Sequence, residues 1–209
     1  MSQTPTFKKC PVCLGEDYGL FQRHEELLCA NCLRLLERTN NPHILYIYND
    51  FFKNILFRYK GLGDLALHSI FLQQNLQTLK RRYKGYIIVL VPSNNEDNFR
   101  RGFAFLPWIF KSLGLPMMSP FTKQIQYKQT SSKHREDISK VIVLKEPLCL
   151  IGQKVLLVDD VMTSGHTLKT CLTLLERAKP KKLDYLVLSC RKENIIQSIK
   201  LIEEGRILR

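Results

Sequence analysis

The sequence of 209 residues predicts an α/β domain, a mainly parallel sheet flanked by helices, with a small N-terminal zinc-binding segment. Three observations lead there. The continuous apolar runs YIIVLV (Tyr86 to Val91) and VLLV (Val155 to Val158) have the composition of strands buried on both faces. Segments of helical periodicity separate such runs, which is the pattern of βαβ units. Four cysteines near the N-terminus form two CxxC pairs, Cys10 with Cys13 and Cys29 with Cys32.

The cysteine segment comes first. Each CxxC turn presents two thiolates, and two such turns close a tetrahedron around a d10 ion that imposes no geometry of its own. Four thiolates leave no open coordination position, so Cys10, Cys13, Cys29 and Cys32 are expected to hold structural zinc rather than a catalytic metal. A pair of disulfides is the alternative, disfavoured if the protein is cytoplasmic. His24 and His43 lie nearby and read as surface or packing histidines. Cys149, Cys171 and Cys190 have apolar sequence neighbours and read as small core residues. The composition changes after Asn40, Asn41 and Pro42, dividing the chain into a zinc-binding segment, 1–42, and a main domain, 43–209.

In the main domain, HILYIYN reads as a short strand and Asp50 to Tyr59 as a helix ended by Gly61 and Gly63. Asp64 then reads as the N-cap of a helix carrying Leu65, Leu67, Leu72 and Leu76. Strand Tyr86 to Val91 stops at Pro92, and a helix from about Phe103 to Leu113 is expected to kink near Pro107. Strand Val155 to Val158, helix Gly165 to Ala178, strand Leu183 to Ser189 and helix Glu193 to Glu204 complete the chain. Ligands of parallel sheets bind beyond the carboxyl ends of the strands, where the loops after Val91, Val158 and Leu188 should gather.

Composition narrows the partners. A 44% hydrophobic and 24% charged chain can bury a sizeable core, and no run of 18 apolar residues or signal-like N-terminus is present, so a cytoplasmic location is expected. Lys and Arg outnumber Asp and Glu by 32 to 19, a net charge of +13, which points to a polyanionic partner. The basic residues are scattered, which suits a broad electrostatic face better than a basic tail.

The stretch VLLVDDVMTSGHT, Val155 to Thr167, carries the most chemistry. A strand delivers Asp159 and Asp160 to the sheet edge, and VMTSGHT turns into the next helix. Such a turn directs backbone N–H groups at an anion, with the hydroxyls of Thr163, Ser164 and Thr167 beside them. Gly165 lets the backbone approach closely. The acids would repel a phosphate unless they accept hydrogen bonds from sugar hydroxyls, so a sugar phosphate accounts for both halves of the stretch. No GxGxxG follows a strand and no GxxxxGK[ST] is present, which disfavours a dinucleotide site and excludes a P-loop.

An apolar quartet, two acids and a Thr/Ser-rich loop resemble the phosphoribosyl-pyrophosphate (PRPP) signature of type I phosphoribosyltransferases. Combined with the four-cysteine segment, the chain resembles the ComF family of competence proteins. ILFRYKGLGDLALHSI is similar to that family's lysine-tyrosine-glycine-aspartate segment, VPSNNEDNFRRGFAFL to its proline-led strand end and RGFNQ motif, and QTSSKHREDI to its Q-x(5)-R block. The resemblance implies a type I phosphoribosyltransferase-like fold in which Asp159 and Asp160 hold ribose hydroxyls, and Val161, Met162, Thr163, Ser164, Gly165, His166 and Thr167 hold the 5′-phosphate. It places Pro92 and Ser93 near the pyrophosphate, and makes Arg100, Arg101, Lys133 and Arg135 cations for pyrophosphate or nucleic-acid phosphate. Magnesium would accompany PRPP.

The function implied is DNA uptake in natural transformation, handling single-stranded DNA (ssDNA) with a helicase-like ATPase partner. Tyr59, Tyr83, Tyr86, Phe103 and Phe105 are candidate stacking residues for such a strand. An active phosphoribosyltransferase, or an adaptor that uses the PRPP site for sensing, stands as an alternative. Where the family has RGFNQ, this chain has Arg101, Gly102, Phe103, Ala104 and Phe105. The amide pair is therefore absent, and turnover of PRPP stays open.

Overall fold

The computed structural model describes residues 9–15, 28–92, 104–128, 137–145 and 147–204, with the backbone alone through 124–128 and 137–141. Its strands in chain order are β1 (Ile44–Ile47), β2 (Ile87–Leu90), β3 (Met117–Met118), β4 (Phe121–Lys128), β5 (Asp137–Leu144), β6 (Lys154–Met162) and β7 (Lys182–Cys190). The helices are α1 (Ala30–Leu35), α2 (Asp50–Gly61), α3 (Leu76–Arg82), α4 (Phe105–Phe110), α5 (His166–Arg177) and α6 (Ile195–Glu203), with short 3-10 turns between some of them.

Five strands form one parallel sheet in the order β1-β7-β6-β2-β3, and β4 and β5 pair as a separate antiparallel ribbon. Val155, Leu156, Leu157 and Val158 of the central strand β6 are fully buried because helices cover both faces. Each such side chain contributes about 1.5–3 kcal/mol of hydrophobic stabilisation. The strand's alternation divides the core. Leu156 and Val158 face a layer built by α2, the 3-10 turn Leu65–Phe71, α3 and α4, whereas Val155 and Leu157 face α5, α6 and Phe121 of β4. The expected α/β class with a mainly parallel sheet is the observed one.

Local chemistry sets most boundaries. Asn49 caps α2, its side chain accepting from the Phe52 N–H at 2.9 Å. Asp64 makes no such cap; its carboxylate takes the Arg58 guanidinium at 2.8 Å, and the chain beyond it forms the 3-10 turn before α3 begins at Leu76. Pro107 lies in the first turn of α4, where N–H groups have no intrahelical acceptor, so its missing donor removes no bond from the helix. Cys171 and Cys190 are buried as expected, but Cys149 is exposed, because it sits on the short 3-10 turn Pro147–Leu150 whose buried residue is Leu150.

The cysteine segment is not set apart from this core. Cys10, Leu28, Cys32 and Leu36 are buried in the same apolar cluster as Phe52, Ile55 and Tyr59 of α2. The chain then passes into β1 through a short antiparallel contact, with Thr39 N–H donating to the Leu45 carbonyl at 3.0 Å and Ile47 N–H to that of Glu37 at 2.8 Å.

Candidate functional site

Strand β6 is longer than the apolar quartet suggested. It continues through both acids to Met162, with Val161 opposite Ser189 and Met162 opposite Cys190 on β7. Because side chains alternate along a strand, Asp159 shares the face of Val155 and Leu157, and Asp160 shares that of Leu156 and Val158. The two side chains therefore leave the strand on opposite faces, yet at the strand end their carboxylates remain close enough to interact.

Their surroundings differ accordingly. Asp160 is buried, and one of its oxygens binds the Lys60 Nζ of α2 at 2.6 Å. That ammonium also lies 4.0 Å from the centre of the Phe105 ring, a cation–π contact that holds it over α4. Asp159 accepts the backbone N–H of Asp160 at 2.8 Å. Burial, reinforced by the Asp160 carboxylate, raises Asp159 well above the usual carboxylate range.

Beyond Met162 the chain makes the expected turn. Thr163, Ser164, His166 and Thr167 are exposed, while Met162 is buried and its side chain belongs to the core. Any contribution of Met162 to an anion site is therefore through its backbone. Gly165 precedes the first residue of α5 with φ +79°, a left-handed conformation that favours glycine. A Cβ there would stand 3.4 Å from the Ser198 carbonyl of α6. The buried Ser198 hydroxyl donates to the Thr163 carbonyl at 3.1 Å, and the Ser164 hydroxyl and His166 Nδ1 are 2.9 Å apart. A glycine turn, exposed hydroxyls and the first-turn amides of a twelve-residue helix come together here, and groups of these kinds can bind an anion.

Pro92, two residues beyond the end of β2, follows the neighbouring strand end, since Leu90 lies opposite Val158. Ser93, Arg100, Arg101, Lys133 and Arg135 lie outside the described residues, as do Phe103 and His24. Of the candidate stacking aromatics, Tyr59, Tyr83 and Phe105 are core residues, and Tyr86 is half-buried. The Tyr59 hydroxyl donates to the Phe105 carbonyl at 2.8 Å.

The sulfur atoms of Cys10, Cys13, Cys29 and Cys32 lie within 4.8 Å of one another. Those of Cys13 and Cys29 are 3.7 Å apart, far beyond a disulfide and close to the edge of about 3.8 Å that a tetrahedron with 2.3 Å metal–sulfur bonds requires. Burial opposes the Cys10 thiolate, yet N–H groups of Cys13, Cys29 and Val12 bring that thiol down to about 7. Burial and the neighbouring sulfurs push Cys32 upward. Such a cluster can ionise fully only around a cation, and its donor set fits one metal ion.

Two contacts at these sites have no local sequence signal. Lys60 pairs with an acid one hundred positions away, and Ser198 reaches the glycine turn from another helix. Lys60 does lie in the RYKG stretch singled out from the sequence, and Ser198 lies in no such stretch.

Residues 99–203 match the model of the phosphoribosyl transferase domain. Competence protein ComFC of Streptococcus pneumoniae is 26% identical over 176 residues, covering 83% of this chain and 77% of the relative. Competence protein ComFC of Bacillus subtilis is 29% identical over 180 residues, covering 81% and 72%. Among solved structures, an adenine phosphoribosyltransferase and the APRTase of Giardia lamblia complexed with 9-deazaadenine superpose with TM-scores of 0.45 and 0.46 at 16% and 17% identity. Each covers 72% of this chain and 80% of its own. No helix among the described residues is long and apolar enough to cross a membrane.

Proposed function

Since this chain belongs to the phosphoribosyl transferase domain family, we propose that it is a competence protein of DNA uptake in natural transformation. In this reading it works in the cytoplasm, handling incoming ssDNA with a helicase-like ATPase partner, while its phosphoribosyl site binds PRPP. The observation that carries the proposal is the similarity to two ComFC competence proteins across about four fifths of the chain. The net charge of +13 supports a polyanionic partner.

Within the site, the amides and hydroxyls from Thr163 to Thr167 hold the 5′-phosphate, and Asp160 accepts a ribose hydroxyl with Lys60 fixing its orientation. Asp159 holds the end of β6 in shape through the Asp160 N–H and offers its remaining acceptor capacity to the sugar. Magnesium, bound with PRPP, would neutralise the pyrophosphate. Zinc is the metal best suited to four thiolates in a tetrahedron, with a structural role.

Fluorescence anisotropy with labelled ssDNA at two salt concentrations tests the nucleic-acid reading. A surface neutralising about four phosphates loses about 50-fold in affinity between about 50 and about 200 mM salt. Binding that is absent, or indifferent to salt, removes the reading.

A second reading, an active phosphoribosyltransferase, is favoured by the glycine turn beside two acids. Release of pyrophosphate from PRPP and magnesium, lost in Asp160→Asn, is its expected signature. Binding without release leaves a ligand-sensing site.

A further inference from the structure

We infer that the C-terminal turn of α2 joins the four-thiol cluster to the phosphoribosyl site, with Arg58 and Lys60 as positioning residues. Metal occupancy of the cysteines and ligand occupancy of the phosphoribosyl site would then favour one another.

The joint is visible in three sets of contacts. Arg58 donates from Nη1 to the Val12 carbonyl at 2.9 Å, and from Nη2 to the Pro11 carbonyl at 3.1 Å and the Asp64 carboxylate at 2.8 Å. Pro11 and Val12 are the two residues between Cys10 and Cys13, so the CxxC turn itself fixes where those carbonyls point. Two positions further along, Lys60 binds Asp160 at 2.6 Å and lies over the Phe105 ring. Between them Tyr59 is fully buried and bonded to the Phe105 carbonyl, which pins the rotation of the helix.

Side chains two positions apart on a helix leave it on different sides, so one rigid turn reaches both sites at once. A displacement of the Cys10–Cys13 turn is passed to α2 by a planar guanidinium that engages three acceptors, and from α2 to Asp160 by a single short ion pair. If the cluster were only a folding staple, metal loss would lower overall stability without singling out Asp160.

The experiment follows zinc transfer from the full-length, zinc-loaded chain to a colorimetric chelator, with and without PRPP and magnesium. Calorimetric PRPP titrations and thermal melts accompany each variant. In the wild type, PRPP is expected to slow zinc release at least about five-fold, the lower end of ordinary coupling between two sites. Arg58→Lys keeps the charge but not the fork, and is expected to abolish that slowing while the chain still melts cooperatively. Should it fail to fold, Asp64→Asn loosens the same guanidinium from its other side and is expected to weaken the slowing.

The PRPP arm rests on the ligand proposed above, but a ligand-free arm does not. Lys60→Met and Asp160→Asn are each expected to change zinc release several-fold in the absence of PRPP. Zinc release unchanged by PRPP in a wild type that binds it overturns the inference. If PRPP does not bind, the ligand reading falls, and unchanged release in Lys60→Met and Asp160→Asn overturns the coupling independently.

Discussion

Burial, with the adjacent Asp160 carboxylate, raises Asp159 well above the usual carboxylate range, whereas at Asp184 burial is outweighed by His43 and Arg82, which hold that acid below it. His43 Nδ1 and Arg82 Nη2 approach the two Asp184 oxygens at 3.0 and 3.1 Å. The two acids act on stability in opposite senses. As pH rises above the unfolded chain's carboxylate range, the folded state retains a proton on Asp159 that the unfolded chain has released, so this group progressively destabilises the fold. Asp159→Asn is expected to melt higher than the wild type at neutral pH, with the gap closing in acid. Asp184 contributes stability above the unfolded range and loses it as pH falls through its lowered folded value. Asp184→Asn is expected to cost about 1–3 kcal/mol at neutral pH, because His43 and Arg82 lose their charged acceptor, and less in acid. Thermal melts across pH 3 to 8, roughly the window in which carboxylates titrate, check both; parallel curves for mutant and wild type refute either. The acids Asp159 and Asp160 were legible in the sequence because the whole chemical motif is contiguous. Lys60 was not, since only folding brings it to Asp160.

Gly165 decides the shape of the turn between β6 and α5. Its φ of +79° costs about 1–2 kcal/mol for a residue with a Cβ, and the Ser198 carbonyl stands 3.4 Å from where that atom would go. Gly165→Ala is expected to lose about that much stability in denaturant melts and to weaken PRPP binding, whereas Gly165→Asn, better tolerated in the left-handed region, loses less. Equal effects of the two would mean that crowding against α6, not backbone conformation, sets the requirement. Strands β2, β6 and β7 could be read because burial on both faces produces continuous apolar runs. The β4–β5 ribbon was missed although β5 ends in the apolar run VIVL, because FTKQIQYK and the start of DISKVIVL mix polar residues through the strands. The end of β6 was missed for a related reason. Two acids look like the close of a strand, although main-chain pairing with β7 continues past them.

The cysteine cluster shares its apolar surroundings with α2, so metal removal is expected to act on the entire molecule. Stripping the metal with a strong chelator should lower the temperature of the main calorimetric transition. A small separate transition that leaves the main one unmoved would show that 1–42 folds as an independent unit. The sequence revealed the ingredients of the sheet but not their order, because nothing local states that β1 lies beside β7. That adjacency, with Ile44 opposite Val187, makes the first strand of the sheet wait for the last. During synthesis, β1 leaves the ribosome more than a hundred residues before its partner strand exists, so its apolar residues must be sheltered meanwhile. The sheet can close only after β7 has emerged, and a chain halted before that point exposes an unpaired strand edge of the kind that chaperones recognise or neighbouring chains adhere to.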